Sequence, residues 1–357
     1  MIINFPMLIS ALVLSIINIK VFIHFAPKLG LLDIPCERKA HKGHVPVIGG
    51  MSVFIAFAVS LILYGNLNFE IKLVLIALSF MVFIGVLDDK YQLSVRARII
   101  GQLLSASVIV FGLELYITSF GNLFGFGNIS LGALGYIVTL LAILGAINAF
   151  NMIDGIDGLL GSISIVSFLG LFILGVFKDN TLLISVSSLI VCVLLPFVIA
   201  NLGIFKLFKT KIFMGDAGSM FIGLLIVWLL IKGTNGGQLE VAFRPVFALY
   251  LIALPLMDMV AIMFRRIRKG QSPFHPDRNH IHHIFMRAGF SAKQALFFLV
   301  LLSLSMVLLG VVMEITQLAE SVMFAVFFVL FLIYNYLIKH AWKVVKFSRR
   351  LTLQKRK

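Results

Sequence analysis

The sequence predicts an all-α polytopic membrane protein whose polar chemistry is gathered at one face. Three observations predict it. Of 357 residues, 61% are hydrophobic and 13% charged, with mean hydropathy +1.08, whereas a soluble chain is about 45–50% apolar and about 25% charged. Apolar runs of the length a bilayer requires recur from end to end. The basic residues fall very unevenly among the loops between those runs.

In order, the runs cover 5–25, 47–65, 70–87, 99–117, 131–149, 158–177, 182–200, 217–232, 244–264, 294–313 and 321–341. These make about eleven transmembrane helices, because lipid offers no partner to a backbone N–H or C=O and each run must satisfy its own. The first has no basic leader and no cleavage site, so it reads as a retained span. An odd number of crossings places the termini on opposite sides. One set of loops together with the C-terminal tail holds 25 basic residues, while the other set holds Lys72, Lys178, Lys232 and Arg244. That split sets the C-terminus in the cytoplasm and the N-terminus in the periplasm. The loops 27–46, 88–98, 148–158, 201–219 and 265–293 then face the cytoplasm. They belong to a single integral-membrane domain over 1–341, followed by a basic tail over 342–357. The net charge of +15 follows from topology, and no nucleic-acid partner is expected. Such a face attracts anionic membrane lipids and phosphorylated substrates. Cys36 and Cys192 show the spacing of neither a metal clamp nor a disulfide framework.

The aspartates and imidazoles are also one-sided, with Asp179 alone among the aspartates on the other side and Asp258 within a span. Asp33, Asp88, Asp89, Asp154, Asp157, Asp216, Asp277 and all eight histidines fall in cytoplasmic loops or at inner ends of spans. Topology does not demand this, so chemistry is the simplest reason for it.

Asp88-Asp89 closes the third run. Adjacent carboxylates repel unless a cation compensates, so the pair suits magnesium or a base of raised pKa. By itself it also reads as a charged helix end neutralised by Lys90, Arg96 and Arg98. In the stretch Asn148 to Asp157, polar residues stand at 148, 151, 154 and 157. A spacing of three keeps neighbours on a shared helical face, and amides and carboxylates are hard donors suited to magnesium rather than zinc. The other reading is a capped turn. In Phe213-Met-Gly-Asp216-Ala-Gly-Ser219, a carboxylate opens the eighth run, where helix N–H groups can face an anion. By itself Asp216 also reads as an N-cap. The loop from Arg265 to Arg287 carries His275, Asp277, Arg278, His280, His282 and His283, donors for phosphates and hydroxyls. The segment Arg38 to Gly50 adds cations and a glycine pair before the second run. Asp258, inside the ninth run, is expected to be structural and paired with a basic group or a polar span.

Taken together and in this order, these segments resemble the polyprenyl-phosphate N-acetylhexosamine-1-phosphate transferases over nearly the whole chain. The histidine loop, Ser272-Pro-Phe…Asp277-Arg278…His280-Ile-His282-His283 followed by Met286-Arg287-Ala288-Gly289, is similar to the branch that begins O-antigen and enterobacterial common antigen synthesis. The resemblance implies transfer of N-acetylglucosamine 1-phosphate from UDP-N-acetylglucosamine to undecaprenyl phosphate, with release of UMP. It implies a bacterial inner-membrane enzyme working at the cytoplasmic face with magnesium, for which manganese can substitute. A homodimer is compatible with it. In residues, it implies Asp216 as magnesium ligand with Asn151 beside it, and Asp88 or Asp89 deprotonating or orienting the lipid phosphate. Lys90 would neutralise phosphate charge, while Asp154, Asp157 and Asn148 shape the nucleotide and metal pocket. Phe213 would stack on uracil, and Arg278, His280, His282 and His283 would hold the sugar or its phosphates. The competing readings are the same reaction with another UDP-N-acetylamino sugar, a proton-coupled transporter and an intramembrane prenyltransferase. Transporters place polar groups near the midplane rather than at one face.

Overall fold

Helices arise where an apolar run meets a start signal. In the computed structural model, which describes residues 4–34, 43–204, 208, 210–235, 241–272 and 280–340, α1 (Phe5–Leu29) begins at Asn4, whose side chain accepts from the Met7 N–H, and ends at Gly30 in the left-handed conformation. A two-stranded antiparallel ribbon, β1 (Leu32–Asp33) with β2 (Val45–Pro46), follows. Then come α2 (Gly49–Tyr64), α3 (Phe69–Tyr91) capped by Asn68, α4 (Val95–Gly112) capped by Ser94, α5 (Leu134–Ile153) and α6 (Leu159–Phe177). Next are α7 (Thr181–Leu202) capped by Asn180, α8 (Gly215–Thr234), α9 (Pro245–Leu251) and α10 (Ala253–Arg268). The series closes with α11 (Ile281–Arg287), α12 (Ala292–Ile315), entered through a Ser291/Gln294 capping box, and α13 (Glu320–Lys339). Each cap side chain satisfies an N–H that the helix itself leaves unpaired.

All eleven apolar runs are helical, but they are not eleven equal spans. Among the described residues nine helices are long and apolar enough to cross a membrane, and α9 with α10 makes a tenth if that bent pair is one span. The chain is a multi-pass membrane protein. At 16 residues, α2 is about 24 Å long, short of a hydrocarbon core of about 30 Å. The ninth run is not straight, for it bends by 85° between α9 and α10. The cause is Pro255, which has no N–H to offer the Leu251 carbonyl. That carbonyl instead accepts the Ser167 hydroxyl of α6 at 2.7 Å.

At the centre lies α8, 89% of whose apolar window is buried, packed against α3, α5 and α2. A helix apolar all round belongs in the interior of a bundle. Its contact with α3 is backbone-close: a Cβ on Gly85 would stand 2.3 Å from Ala217 Cα, so only glycine lets the two axes approach this far. α3 and α8 run antiparallel, since Lys232 at the end of α8 pairs with Glu70 at the start of α3 at 2.8 Å. The end of α3 and the start of α8 therefore share the other end of the bundle.

Candidate active site

The site assembles where α3 and α5 end and α8 begins. Asp89 reaches across from α3 to cap α8: its two oxygens accept the N–H groups of Asp216 at 2.7 Å and Ala217 at 3.2 Å. The helix start anticipated as an anion receptor does face an anion, and that anion is this carboxylate. Asp88, 4% exposed, accepts the Leu93 N–H at 2.8 Å and pairs with Arg98 of α4 at 3.3 Å. Thus one of the three cations named as neutralisers of the pair, Arg98, is found doing so. Lys90 turns elsewhere, with its ammonium 5.3 Å from the centre of the Tyr91 ring and its Cε 3.5 Å from where a Cβ on Gly30 would lie.

Asp216 is the hub. Its Oδ1 accepts the Asn151 side-chain amide at 2.5 Å, and the same amide donates to Ser219 Oγ at 2.9 Å. Asn151 from α5 and Asp216 from α8 are thus brought together. The charge of Asp216 acts on Asp88, Asp89 and Asp154. Asp154 ends α5 and opens to solvent. The protein gathered about this end of the bundle and the charges of Asp216 and Asp157 raise its carboxyl above the ordinary carboxylate range. Asp157 pairs with Lys211, whose ammonium also lies 4.9 Å from the centre of the Phe213 ring. Phe213 is held through its backbone: its N–H donates to Pro46 and its carbonyl accepts from Gly49. Asn148 faces into the bundle, donating to Gln102 at 3.0 Å and to the Leu144 carbonyl.

The histidine loop comes to the same place. A Cβ on Gly155 would lie 2.0 Å from Nε2 of His282, so the imidazole rests on the peptide between Asp154 and Asp157. His282 is 1% exposed, and its pKa is lowered to about 3 by burial, then by His283 and His280. The rings of His280 and His282 stand parallel at 5.7 Å, with His283 at 4.3 Å from His282. Arg278, with His275 and Asp277, lies outside the described residues, as do Arg38, Lys39 and His41.

Several members were missed in the sequence. Asn201 accepts the Gly158 N–H at 2.5 Å and donates to the Ile212 carbonyl at 2.6 Å. Its signal was an amide at the end of an apolar run, two residues before a glycine. Lys211 was visible two residues before Phe213, and Gln102 as a lone amide within the fourth run. Asp258, expected to be structural and paired, accepts from His280, Ile281 and Tyr334. Its link to the histidine loop was not foreseen.

The acidic side chains of the site offer hard oxygens. Five carboxylates cluster here (Asp88, Asp89, Asp154, Asp157 and Asp216), while two cations are seen paired with them among the described residues, Arg98 and Lys211. The surplus negative charge suits this end of the bundle to a cation. Among the described residues no three acidic, histidine or cysteine side chains converge as a closed metal cage. Magnesium does not require one, since it takes one or two carboxylates and keeps water or substrate phosphate on its other positions.

A model of glycosyl transferase family 4 matches residues 71–234, the stretch that supplies all five carboxylates. Three curated relatives bear one name, undecaprenyl-phosphate alpha-N-acetylglucosaminyl 1-phosphate transferase. The Salmonella typhi protein is 42% identical over 345 residues, 96% of this chain and 93% of its own. That of Escherichia coli K12 is 42% identical over 331 residues, 91% and 88%. That of Yersinia pestis is 41% identical over 333 residues, 93% and 90%. With the likeness extending over nine-tenths of its length, the chain belongs to the undecaprenyl-phosphate alpha-N-acetylglucosaminyl 1-phosphate transferase family, within glycosyl transferase family 4.

Proposed function

We infer that the chain is an enzyme transferring N-acetylglucosamine 1-phosphate from UDP-N-acetylglucosamine to undecaprenyl phosphate. An oxygen of the lipid phosphate bonds to the sugar-linked phosphorus. The bond from that phosphorus to the bridging oxygen of UMP breaks, UMP leaves with the electron pair, and a lipid-linked pyrophosphoryl sugar remains. One observation carries the reading: the Asp216–Asn151 clasp sits among four further carboxylates at one end of an apolar bundle. A reaction between an insoluble lipid and a soluble nucleotide needs its site at such an edge. The names of the relatives specify the sugar and the lipid.

Phosphoryl transfer asks for positioning and charge neutralisation more than covalent chemistry. Asp216 and Asn151 are the residues we assign to magnesium or manganese, the metal of this reading. When bound, it neutralises pyrophosphate charge and polarises a phosphoryl oxygen. Asp88, held by Arg98, and Asp89, held by the start of α8, orient the lipid phosphate, with Lys90 available to its charge. Asp154 and Asp157 line the nucleotide side, and Phe213 offers its ring to uracil. Arg278, His280, His282 and His283 address the sugar and its phosphates.

We further propose eleven crossings, a periplasmic N-terminus and a cytoplasmic C-terminus and site, in a bacterial inner membrane. The basic residues support this, as does the course of the helices. α1 ends beside Lys90, while α13 starts at the far end, where Glu320 lies against Gly121.

The test is UMP release from UDP-N-acetylglucosamine by purified protein in detergent, with and without undecaprenyl phosphate and magnesium. Release that needs all three, with a lipid-linked sugar as product, is expected. Release with a different UDP-amino sugar alone would overturn the sugar, and no release with any would overturn the reaction.

A further inference from the structure

The histidines are not held by their own loop. His280 Nδ1 lies 2.7 Å from Oδ2 of Asp258, in the middle of α10. The other oxygen, Oδ1, accepts the N–H of Ile281, the first residue of α11, at 3.1 Å and the hydroxyl of Tyr334 in α13 at 2.8 Å. Asp258 is 1% exposed and His280 7% exposed. A carboxylate buried to that degree is costly unless donors surround it, and here three donors do. Asp258 stands on the buried stripe Leu254, Met257, Asp258, Ala261 and Ile262 of α10, so the helix itself aims it at the bundle interior. Since an ionised carboxylate only accepts, the proton of a neutral His280 resides on Nδ1 and Nε2 is left as the working nitrogen. His280 in turn stacks on His282, and His282 rests on Gly155 between the two acids of the α5–α6 loop.

We propose that Asp258 and Tyr334 are positioning residues for the transfer reaction: they set the tautomer and orientation of His280 and seat the first turn of α11, so that His280 and His282 meet the sugar phosphate. This rests on the reading above that the histidine loop addresses the substrate. It makes the last transmembrane helix, remote in sequence from every motif, part of the site's support. Partners of this kind fix which nitrogen of an imidazole is protonated, and their loss typically costs about 10- to 100-fold in activity.

Asp258→Asn tests it with little change in volume. The new amide still accepts from Ile281 and Tyr334 but offers an N–H to His280 Nδ1, so the proton moves to Nε2. UMP release is measured at saturating undecaprenyl phosphate for Asp258→Asn, Tyr334→Phe, His280→Gln and the two double variants with His280→Gln. We expect kcat/KM for UDP-N-acetylglucosamine to fall about 10- to 100-fold in Asp258→Asn and about tenfold in Tyr334→Phe, which loses one bond to a charged group. Neither should lower it further once His280 is Gln, because groups acting through one another are not additive. Histidine-selective 15N spectra should place the His280 proton on Nδ1 in the parent and on Nε2 in Asp258→Asn. Losses that multiply with that of His280→Gln would show a merely structural role and overturn the proposal. Parent-like activity in Asp258→Asn beside a crippled His280→Gln would overturn the positioning alone. Parent-like activity in His280→Gln would overturn the reading of the histidine loop and the proposal with it. Should Asp258→Asn fail to fold, Tyr334→Phe, which removes a single hydroxyl, decides by the same criteria.

Discussion

The junction between the α5–α6 loop and the histidine loop can be probed with one methyl group. In Gly155→Ala the added Cβ would stand 2.0, 2.2 and 2.8 Å from Nε2, Cε1 and Cδ2 of His282, where ordinary contact begins at 3.4 Å. Gly155 lies outside the positive-φ region, so the backbone tolerates alanine and the perturbation is steric alone. The obstacle is a ring 1% exposed, not the loose end of a flexible chain. The imidazole or the loop must therefore move by roughly 1.5 Å, a displacement that costs about 100-fold in rate at a catalytic site. Overpacking of this kind also costs about 1–3 kcal/mol of stability. The assay is UMP release under single-turnover conditions, paired with thermal denaturation in detergent. Adding His282→Ala to Gly155→Ala removes the ring, so the denaturation midpoint should recover while activity stays low. Full activity in Gly155→Ala, or a double variant no more stable than the single one, would refute the placement of His282 on this peptide.

Asp216→Asn should abolish UMP release and its dependence on added magnesium, yet leave the denaturation midpoint no lower than the parent's, because Asp88, Asp89 and Asp154 lose a like-charged neighbour; a magnesium titration followed by UMP release checks the first part. Asn201→Ala strips the partner from the buried Gly158 N–H and Ile212 carbonyl and should cost about 2–4 kcal/mol in chemical denaturation. His282, held at about pKa 3 when folded, takes up a proton near pH 6.5 once unfolded. Its contribution is therefore constant above pH 6.5, and stability falls as pH drops from there toward 3, by about 1.4 kcal/mol per unit. Denaturation of parent and His282→Asn at pH 7, 6 and 5, read as a difference so that Asp154 and other groups cancel, should show that slope; parallel curves would contradict the burial of His282 in neutral form.

Much of this site was legible because its members carry local signatures. Asp88-Asp89, the run from Asn148 to Asp157 and the Phe213–Ser219 segment each join a polar group to the end of an apolar run, and helix ends are where such groups can be tolerated. Partnerships were harder to see. Nothing near Asp89 in sequence shows that it also caps α8, 127 positions away. Asn148 keeps the spacing of its neighbours but points toward Gln102, because three-residue spacing drifts around the helix. The bend between α9 and α10 depended on Pro255 and on a hydroxyl of α6 that no local pattern could assign.

By itself the sequence determined the solvent, the helices and the place of the chemistry: composition demanded a bilayer, run length set the helices, and aspartates and histidines gathered at one face marked where the site lies, while the reaction itself entered with the family resemblance of the motifs. These follow from one-dimensional quantities, namely hydropathy, length and residue type. The tertiary structure alone decided which acids are occupied by backbone or arginine and which open to solvent, that Lys211 faces Asp157, and that Asp258 and Tyr334 stand behind His280. Those depend on how helices cross. A hydrogen bond is won or lost over less than 1 Å, and that distance is set by the packing of distant apolar faces, which no local stretch of sequence encodes.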